Sequence, residues 1–563
     1  MSENPIFSTY MGISKYNDRM ESYNVSHFDV KRNKSRELLS RLNNINRQEL
    51  DSADQVNYDI LQDSLQTYLD GSEWARYGSL NPMTFLDGIQ LYSRPAMASP
   101  PTRGDFDNYI VRLHLVQRQI DEIIESLRLA VKLKRTLHKV SVEKVPGQIK
   151  DHIFDDPTQS PCYTPFKNTL ETSEIPETEW ADLRNRGRLA VESYINAFRK
   201  VMKYMINDYM KHTRKSIGIM EWDPTHNYYQ ACLRWHLSFA MTPEEVHAVG
   251  LQEVNRIHGN MNQIMRKLGL TGSVKDFFDS LLNDPRFYSN DSDIIIEEYK
   301  KTVFERISPQ LSGFFKDIPN VPLEVEKSTY DGLGGSYSFA GEDWPGVFSI
   351  NVQRPLEVSF YRMMALSLHE TNPGHHLQHS YSMFANLPDF RKYSVMSFYN
   401  IPNWIPFYSA YKEGWGLYSE YLGEEMGLYK DDYEMMGRYS FEILRAARLV
   451  VDTGIHYYGW SRDKAIEYMT NYTDMGPGSV ANEIDRYITW PGQACAYKLG
   501  EIKIKQLRKR AEQYLGAEFD IKEFHSVILV NGIMPMNVLE RLVTSWLQGK
   551  KSSPASEIDK ARG

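Results

Sequence analysis

Thr242-Pro-Glu-Glu-Val-His-Ala-Val-Gly-Leu-Gln-Glu-Val-Asn-Arg-Ile-His-Gly-Asn-Met-Asn-Gln-Ile-Met-Arg-Lys-Leu-Gly269 is the stretch that decides the fold class. Val254, Ile257, Met261, Ile264 and Leu268 recur at alternating steps of three and four, which lines them up on one face of an α-helix. Thr242 before Pro243 and Glu244-Glu245 reads as a cap with proline in the first turn, and Gly269 and Gly272 follow the last periodic residue. The same periodicity runs through 106–137, 180–212 and 294–315, so the expected fold is mainly α.

The chain has 563 residues, 65 Lys plus Arg against 73 Asp plus Glu, and a formal net charge of −8. A length of this size supplies a core without help, and the acidic balance argues against a nucleic-acid partner, which needs a concentrated basic surplus. Cys162, Cys232 and Cys495 are odd in number and far apart, so neither a disulfide framework nor a Cys-x-x-Cys metal site is expected. No apolar run reaches the ~18 residues a membrane span needs, and the N-terminus lacks a basic start followed by an apolar stretch. The expectation is a soluble cytoplasmic protein with no membrane partner.

Two stretches interrupt the helical pattern. Residues 145–166 are dense in turn signals, Pro146-Gly147, Asp156-Pro157, Pro161 and Pro165, and read as a surface loop or a joint between halves. In 328–351, Gly332, Gly334 and Gly335 precede Tyr337, and 346–351 reads as a short strand, so a small hairpin or sheet is expected there. Residues 1–550 then form one domain, and 551–563 a disordered tail.

Four of the 15 histidines fall in Ser367-Leu-His-Glu-Thr-Asn-Pro-Gly-His-His-Leu-Gln-His-Ser-Tyr381. His369-Glu370 resembles the opening of H-E-x-x-H, in which two His one turn apart bind zinc and the Glu is the general base. Here Pro373 stands where the second His should be. On an unbroken helix His375 would face away from His369, rotated ~600° and raised ~9 Å, and His376 would return to the same face ~10.5 Å away. The helix is therefore expected to kink or bulge between Glu370 and His375, with Pro373 removing a backbone donor and Gly374 permitting unusual angles. His375 is the preferred second ligand and His376 its neighbour in the surrounding shell; a pair formed by His375 and His379 is the alternative. Tyr411-Lys-Glu-Gly-Trp-Gly-Leu-Tyr-Ser-Glu420 offers Glu413 and Glu420 two turns apart on one face, and Glu413 is preferred as the third ligand.

With these residues in view the chain resembles the DUF885 family, helical proteins similar to gluzincin metallopeptidases. The resemblance rests on five motifs in order: His369-Glu-Thr-Asn-Pro-Gly-His-His-Leu-Gln378, Glu413-Gly-Trp-Gly-Leu-Tyr-Ser-Glu420, Arg445-Ala-Ala-Arg-Leu-Val-Val-Asp-Thr-Gly-Ile-His456, Arg486-Tyr-Ile-Thr-Trp-Pro-Gly-Gln-Ala-Cys-Ala-Tyr-Lys498 and Phe519-Asp-Ile-Lys-Glu-Phe-His525. It implies two helical halves enclosing a deep cleft, as in thimet-oligopeptidase-like and angiotensin-converting-enzyme-like peptidases, with metal ligands in the first two motifs. The family's usual Ala after Glu-Gly-Trp is Gly416 here, a small-for-small exchange.

The functional expectation is zinc-dependent hydrolysis of short peptides, carboxypeptidase-like in one version. One Zn²⁺ sits on His369, His375 and Glu413, and Glu370 acts as general base for the attacking water. Tyr487 and Tyr497 are candidate oxyanion donors, and Arg448, Arg486 and Lys498 candidate anchors for a substrate carboxylate. Asp452 and His456, one turn apart, are expected as a salt bridge, with His456 facing the substrate as the catalytic alternative. The strand at 346–351 either aligns a peptide by edge pairing or caps the site. Two other classes stay open: a zinc hydrolase or cyclising enzyme acting on non-peptide amides, and a peptide-binding protein without turnover.

Overall fold

The computed structural model describes residues 4–10, 12–72, 80–92, 102–221, 223–281, 284–328, 334–341, 344–392 and 406–552. After two packed helices, Ser26–Asn43 and Ser52–Gly71, comes a longer pair packed side by side, α1 (Arg103–Lys132) and α2 (Glu177–Asn207), with Phe106, Leu113, Ile120, Leu127, Val191 and Phe198 filling the seam. Thr102 and Asp105 form a reciprocal cap at the start of α1. The surface loop expected at 145–166 is instead folded. A short helix, Val145–Lys150, leads into helical turns at Pro157–Gln159 and Pro161–Tyr163, and Val145, Ile149, Cys162 and Phe166 are buried in the core of α1 and α2. The prolines open these turns, where a missing N–H costs nothing, and the apolar residues between them supply the burial.

Next come α3 (Asn227–Leu237) and α4 (Pro243–Lys267). At the start of α4 the Thr242 hydroxyl accepts from Glu245 N at 3.2 Å and the Glu245 carboxylate accepts from Thr242 N at 2.8 Å; at its end Gly269 takes φ +71°. The periodic stretch 294–315 begins as the helix Ser292–Lys301 and then loosens into wider and tighter turns ahead of Gly313, around Pro309, which has no N–H to give.

The small sheet has three strands, β1 (Leu323–Lys327), β2 (Gly335–Ser338) and β3 (Gly346–Ile350), in the order β1-β3-β2. β2 and β3 are antiparallel, as a hairpin requires, whereas β1 runs parallel to β3 and lies upstream of the stretch the sequence marked. Gly332 lies outside the described residues. β3 is paired on both sides, so it has no free edge for a peptide, and the edge-pairing role expected for 346–351 does not hold.

The second half of the chain carries α5 (Met363–Glu370), α6 (His375–Phe384), α7 (Ser409–Glu425), α8 (Asp432–His456), α9 (Pro477–Thr489), α10 (Ala496–Leu515) and α11 (Ile521–Leu529). α4 packs along α8, and α7 along α10. The α7–α10 crossing is backbone against backbone: a Cβ on Gly500 would stand 2.1 Å from the Ala410 carbonyl oxygen, and one on Gly414 would stand 2.5 Å from Gly500 Cα. The last helix, Met536–Ser552, runs two residues past the expected start of the tail, and 553–563 lie outside the described residues. Among the described residues no helix is long and apolar enough to cross a membrane, and all three cysteines are buried and outside any disulfide.

Candidate metal centre

Three helices meet around His369. α5 delivers His369 and Glu370 in its last turn, with Met364, Leu366 and Leu368 buried behind them. The expected kink is a full break: α5 stops at Glu370, a turn occupies Thr371–Gly374, and α6 begins at His375. The Asn372-Pro373 peptide bond is cis. Gly374 is sterically required there, since a Cβ would lie 1.9 Å from the His369 carbonyl oxygen. The turn is tied from outside by Trp415 on α7, whose indole N–H donates to the Pro373 carbonyl at 2.8 Å.

This break brings the two histidines together, with ring centroids 4.8 Å apart and planes nearly perpendicular. Both face Glu413: His369 Nε2 lies 3.5 Å and His375 Nε2 3.6 Å from Glu413 Oε2. One donor atom from each of the three residues falls within 4.8 Å of the others. Donors ~2.0–2.1 Å from a tetrahedral ion sit about 3.4 Å from one another, so two of the separations already suit zinc, and imidazole plus carboxylate is a donor set zinc accepts.

α7 presents a stripe of Glu413, Gly416 and Glu420 to His369. Glu420 Oε1 accepts from His369 Nδ1 at 2.8 Å, which turns Nε2 towards Glu413. The ring lies directly on Gly416, where a Cβ would meet its Cε1, Nε2 and Nδ1 at 2.7, 2.8 and 2.9 Å. The exchange of Ala for Gly at 416 is therefore not neutral in this chain, because it lets the imidazole settle against the helix backbone. Glu420, set aside in favour of Glu413 on sequence grounds, is the partner that orients the ring.

The electrostatics favour a cation at this point. Burial pushes the His369 imidazole down, but Glu413 and Glu420 outweigh it and raise it to about 10. Burial pushes Glu413 up, yet His369 and His375 hold it well below the usual carboxylate range. Glu370 is raised, chiefly by burial, with His369 and His375 opposing the shift. Two carboxylates flanking one imidazole hold a positive charge between them, whether a proton or a metal ion.

The other histidines of the cluster turn away. His376 Nδ1 meets the Tyr337 hydroxyl at 3.0 Å and Nε2 the Val321 carbonyl at 3.2 Å, while His379 Nε2 meets the Ala340 carbonyl at 2.9 Å. Burial drives both to about 4, so they are neutral pegs holding the sheet against α6.

Tyr497, at the start of α10, stacks on His369 with centroids 6.4 Å apart, and its hydroxyl oxygen accepts from Arg486 Nη2 at 3.1 Å. Tyr487 is committed elsewhere: it donates to Glu483 at 2.5 Å and accepts from Arg448 Nε at 2.9 Å. Arg448 also donates to Glu483 at 2.8 Å, and Arg486 donates to Gln493 at 2.8 Å, so both guanidiniums are drawn into a network around Glu483 that the sequence did not reveal. Lys498 cannot anchor a substrate. Its ammonium is buried against Glu501, Glu442 and Glu253 at 2.5, 2.6 and 3.0 Å. His456 is fully buried with Nε2 on the Tyr487 carbonyl at 2.9 Å, and burial lowers it to about 3. The expected Asp452–His456 salt bridge gives way to Asp452 accepting from the Tyr229 hydroxyl at 2.6 Å and Gly492 N at 3.0 Å. Both residues lock elements of the fold together through these bonds, and burial keeps the His456 imidazole neutral, so no ion pair forms between them.

The family model described as "Bacterial protein of unknown function (DUF885)" matches residues 5–543. A "putative lipoprotein" from Colwellia psychrerythraea has a similar structure, with a TM-score of 0.87 and 28% identity over 97% of this chain and 96% of that one. A "putative lipoprotein of unknown function" from Shewanella oneidensis shares the fold at a TM-score of 0.70 and 16% identity, covering 96% of each chain. No curated protein matches.

Proposed function

We propose that this chain, which belongs to the DUF885 family, is a gluzincin-like zinc peptidase acting on short peptides. The observation that carries the reading is the convergence of His369, His375 and Glu413 beside Glu370, with Glu420 fixing the tautomer of His369. Zinc held by those three residues would supply Lewis acidity and a water acidified to near neutrality. Glu370, raised by burial, is suited to accept the proton of the attacking water and return it to the leaving amine nitrogen. Tyr497 is the better oxyanion donor of the two tyrosines. Its oxygen is already held by Arg486, which leaves its own proton to give, whereas the proton of Tyr487 goes to Glu483.

Metal analysis of the purified protein, followed by mass spectrometry of a peptide mixture incubated with it, tests the reading. His369→Ala or Glu413→Ala is expected to lose zinc. Glu370→Gln should keep zinc and lose turnover by ~10²–10⁴-fold, and near-normal turnover in that variant would sink the mechanism. The three cysteines, none of them in a disulfide, support a cytoplasmic setting. The names of the structural relatives point instead to a lipid-anchored one, and cell fractionation decides between them.

A further inference from the structure

Arg445 stands out among the buried cations of the second half of the chain. It is 7% exposed, and among the described residues its guanidinium, which has five N–H donors, makes one hydrogen bond, from Nη1 to the Phe441 carbonyl at 3.1 Å. Nε is buried without a partner. The nearest carboxylate, Glu420, lies 3.7 Å from Nη2, beyond hydrogen-bond range, and its Oε1 is already engaged by His369. Arg438, two turns earlier on α8, is instead paired with two carboxylates, Glu424 at 2.9 Å and Glu442 at 2.7 Å. A buried cation left in the state of Arg445 is costly unless something completes its shell.

Position says what completes it. Arg445 and Arg448 approach the Tyr497 ring with their guanidinium carbons 6.0 and 4.7 Å from its centroid, and that ring stacks on His369. Arg486 holds the Tyr497 hydroxyl. Three guanidiniums thus gather within one residue of the candidate metal ligands, while the carboxylates among them are Glu483, which serves Arg448 and Arg486, and the shared Glu420. The balance is positive; Arg448 Nη1 and Arg486 Nε are also buried atoms without a hydrogen bond, but among the described residues Arg445 alone of the three has no carboxylate within 3.6 Å.

We propose that Arg445 is the anion anchor of the site and that it receives the C-terminal carboxylate of a peptide. This rests on the peptidase reading above and specifies its substrate class: short peptides with a free C-terminus. An extended chain spans ~3.3–3.6 Å per residue, so the anchor suits a carboxylate one or two residues beyond the scissile bond. A guanidinium binds a carboxylate through paired N–H donors, which is the geometry that Arg445 leaves open. Arg448, Arg486 and Lys498, the candidates suggested by sequence, already have partners inside the protein.

The test is calorimetric binding to the zinc-loaded full chain carrying Glu370→Gln, which should hold a peptide without cutting it. Three probes are compared: N-acetyl-trialanine as the free acid, its amide, and N-acetyl-Ala-Ala-Glu amide. The free acid should bind about 10-fold or more tightly than its amide, the range of a charge-assisted contact. Adding Arg445→Met should shrink that ratio to about 2-fold or less with zinc content unchanged, and Arg445→Lys, which keeps the charge and fills the same space, should retain part of it. Equal binding of acid and amide overturns the anchor and leaves the peptidase reading standing; binding of neither overturns both. If the glutamyl amide matches the free acid, the anion is a side chain and the C-terminal assignment falls. Loss of zinc in both Arg445 variants would make the residue a positioning partner of Glu420, which also overturns the proposal.

Discussion

Two buried clusters of carboxylates lie near the centre of the molecule, and they are finished in opposite ways. Around Lys498, three glutamates from α4, α8 and α10 close on one ammonium at 2.5–3.0 Å, and Arg256 and Arg438 complete the charge balance around Glu442. Around His369, Glu413 and Glu420 close on an imidazole, which carries a charge only while it is protonated. The first cluster contains its own permanent cation and is a structural joint. The second holds its positive charge as an exchangeable proton on His369, which the zinc proposed above would displace.

The sharpest way to break this contrast is at the ligands. His375→Ala should empty the site of zinc while His376→Ala keeps it full, because His376 bonds Tyr337 and Val321 rather than facing Glu413; elemental analysis of the two proteins decides, and the reverse result would exchange their roles. At the closed cluster, Lys498→Met should cost about 3–5 kcal/mol of stability, since it strands buried carboxylates, with zinc content unchanged in whatever protein remains folded. Adding Glu442→Gln should recover part of that loss in a melting experiment; no recovery would mean the cost is packing and not charge. A smaller effect is expected from Glu420→Gln, which keeps an acceptor for His369 but removes the charge: zinc affinity should fall about 10- to 100-fold by chelator competition, and an unchanged affinity would detach Glu420 from the site. The smallest is Gly416→Ala. The added methyl should lift His369 from α7 and weaken zinc by about 10-fold, the low end of that range, and in a His369→Ala background the same substitution should cost nothing in melting temperature.

The contrast also marks where the sequence is readable. Helices announce themselves through period and caps, and the Thr242/Glu245 pair at the start of α4 is found where those signals put it. The convergence of His369, His375 and Glu413 was legible because Pro373-Gly374 breaks the helix at a countable position, although the break is complete and not a bulge. The preference for His375 over His376 rested on its place directly after Pro373-Gly374, and His375 is the one that faces Glu413, although that outcome depends on which way the chain leaves the turn. Lys498 misled for a related reason: a Lys late in the chain looks like a substrate anchor until Glu253, Glu442 and Glu501, scattered over nearly 250 positions, are seen to converge on it. Arg445 stood in a quoted motif without drawing attention, because an unmet hydrogen bond has no signature in sequence. β1, with Leu323 and Val325 as its only apolar residues, is too short to reveal a period of two. The prolines of 145–166 suggested a loop because turn signals say where a chain bends and not whether the bend is buried.

The glycine contact between α7 and α10 bears on how this protein can move. Where two helices touch through Gly414 and Gly500 with no side chains between them, there is no layer of rotamers to re-pack, so neither helix can slide along the other without backbone collision. Glu413 and Tyr497, one on each helix, therefore travel as a single rigid block, and Trp415 fastens the turn that precedes His375 to that block. Any relative motion in this half of the chain has its hinge elsewhere, and the three-stranded sheet, held to α6 by Tyr337, His376 and His379, lies outside that block.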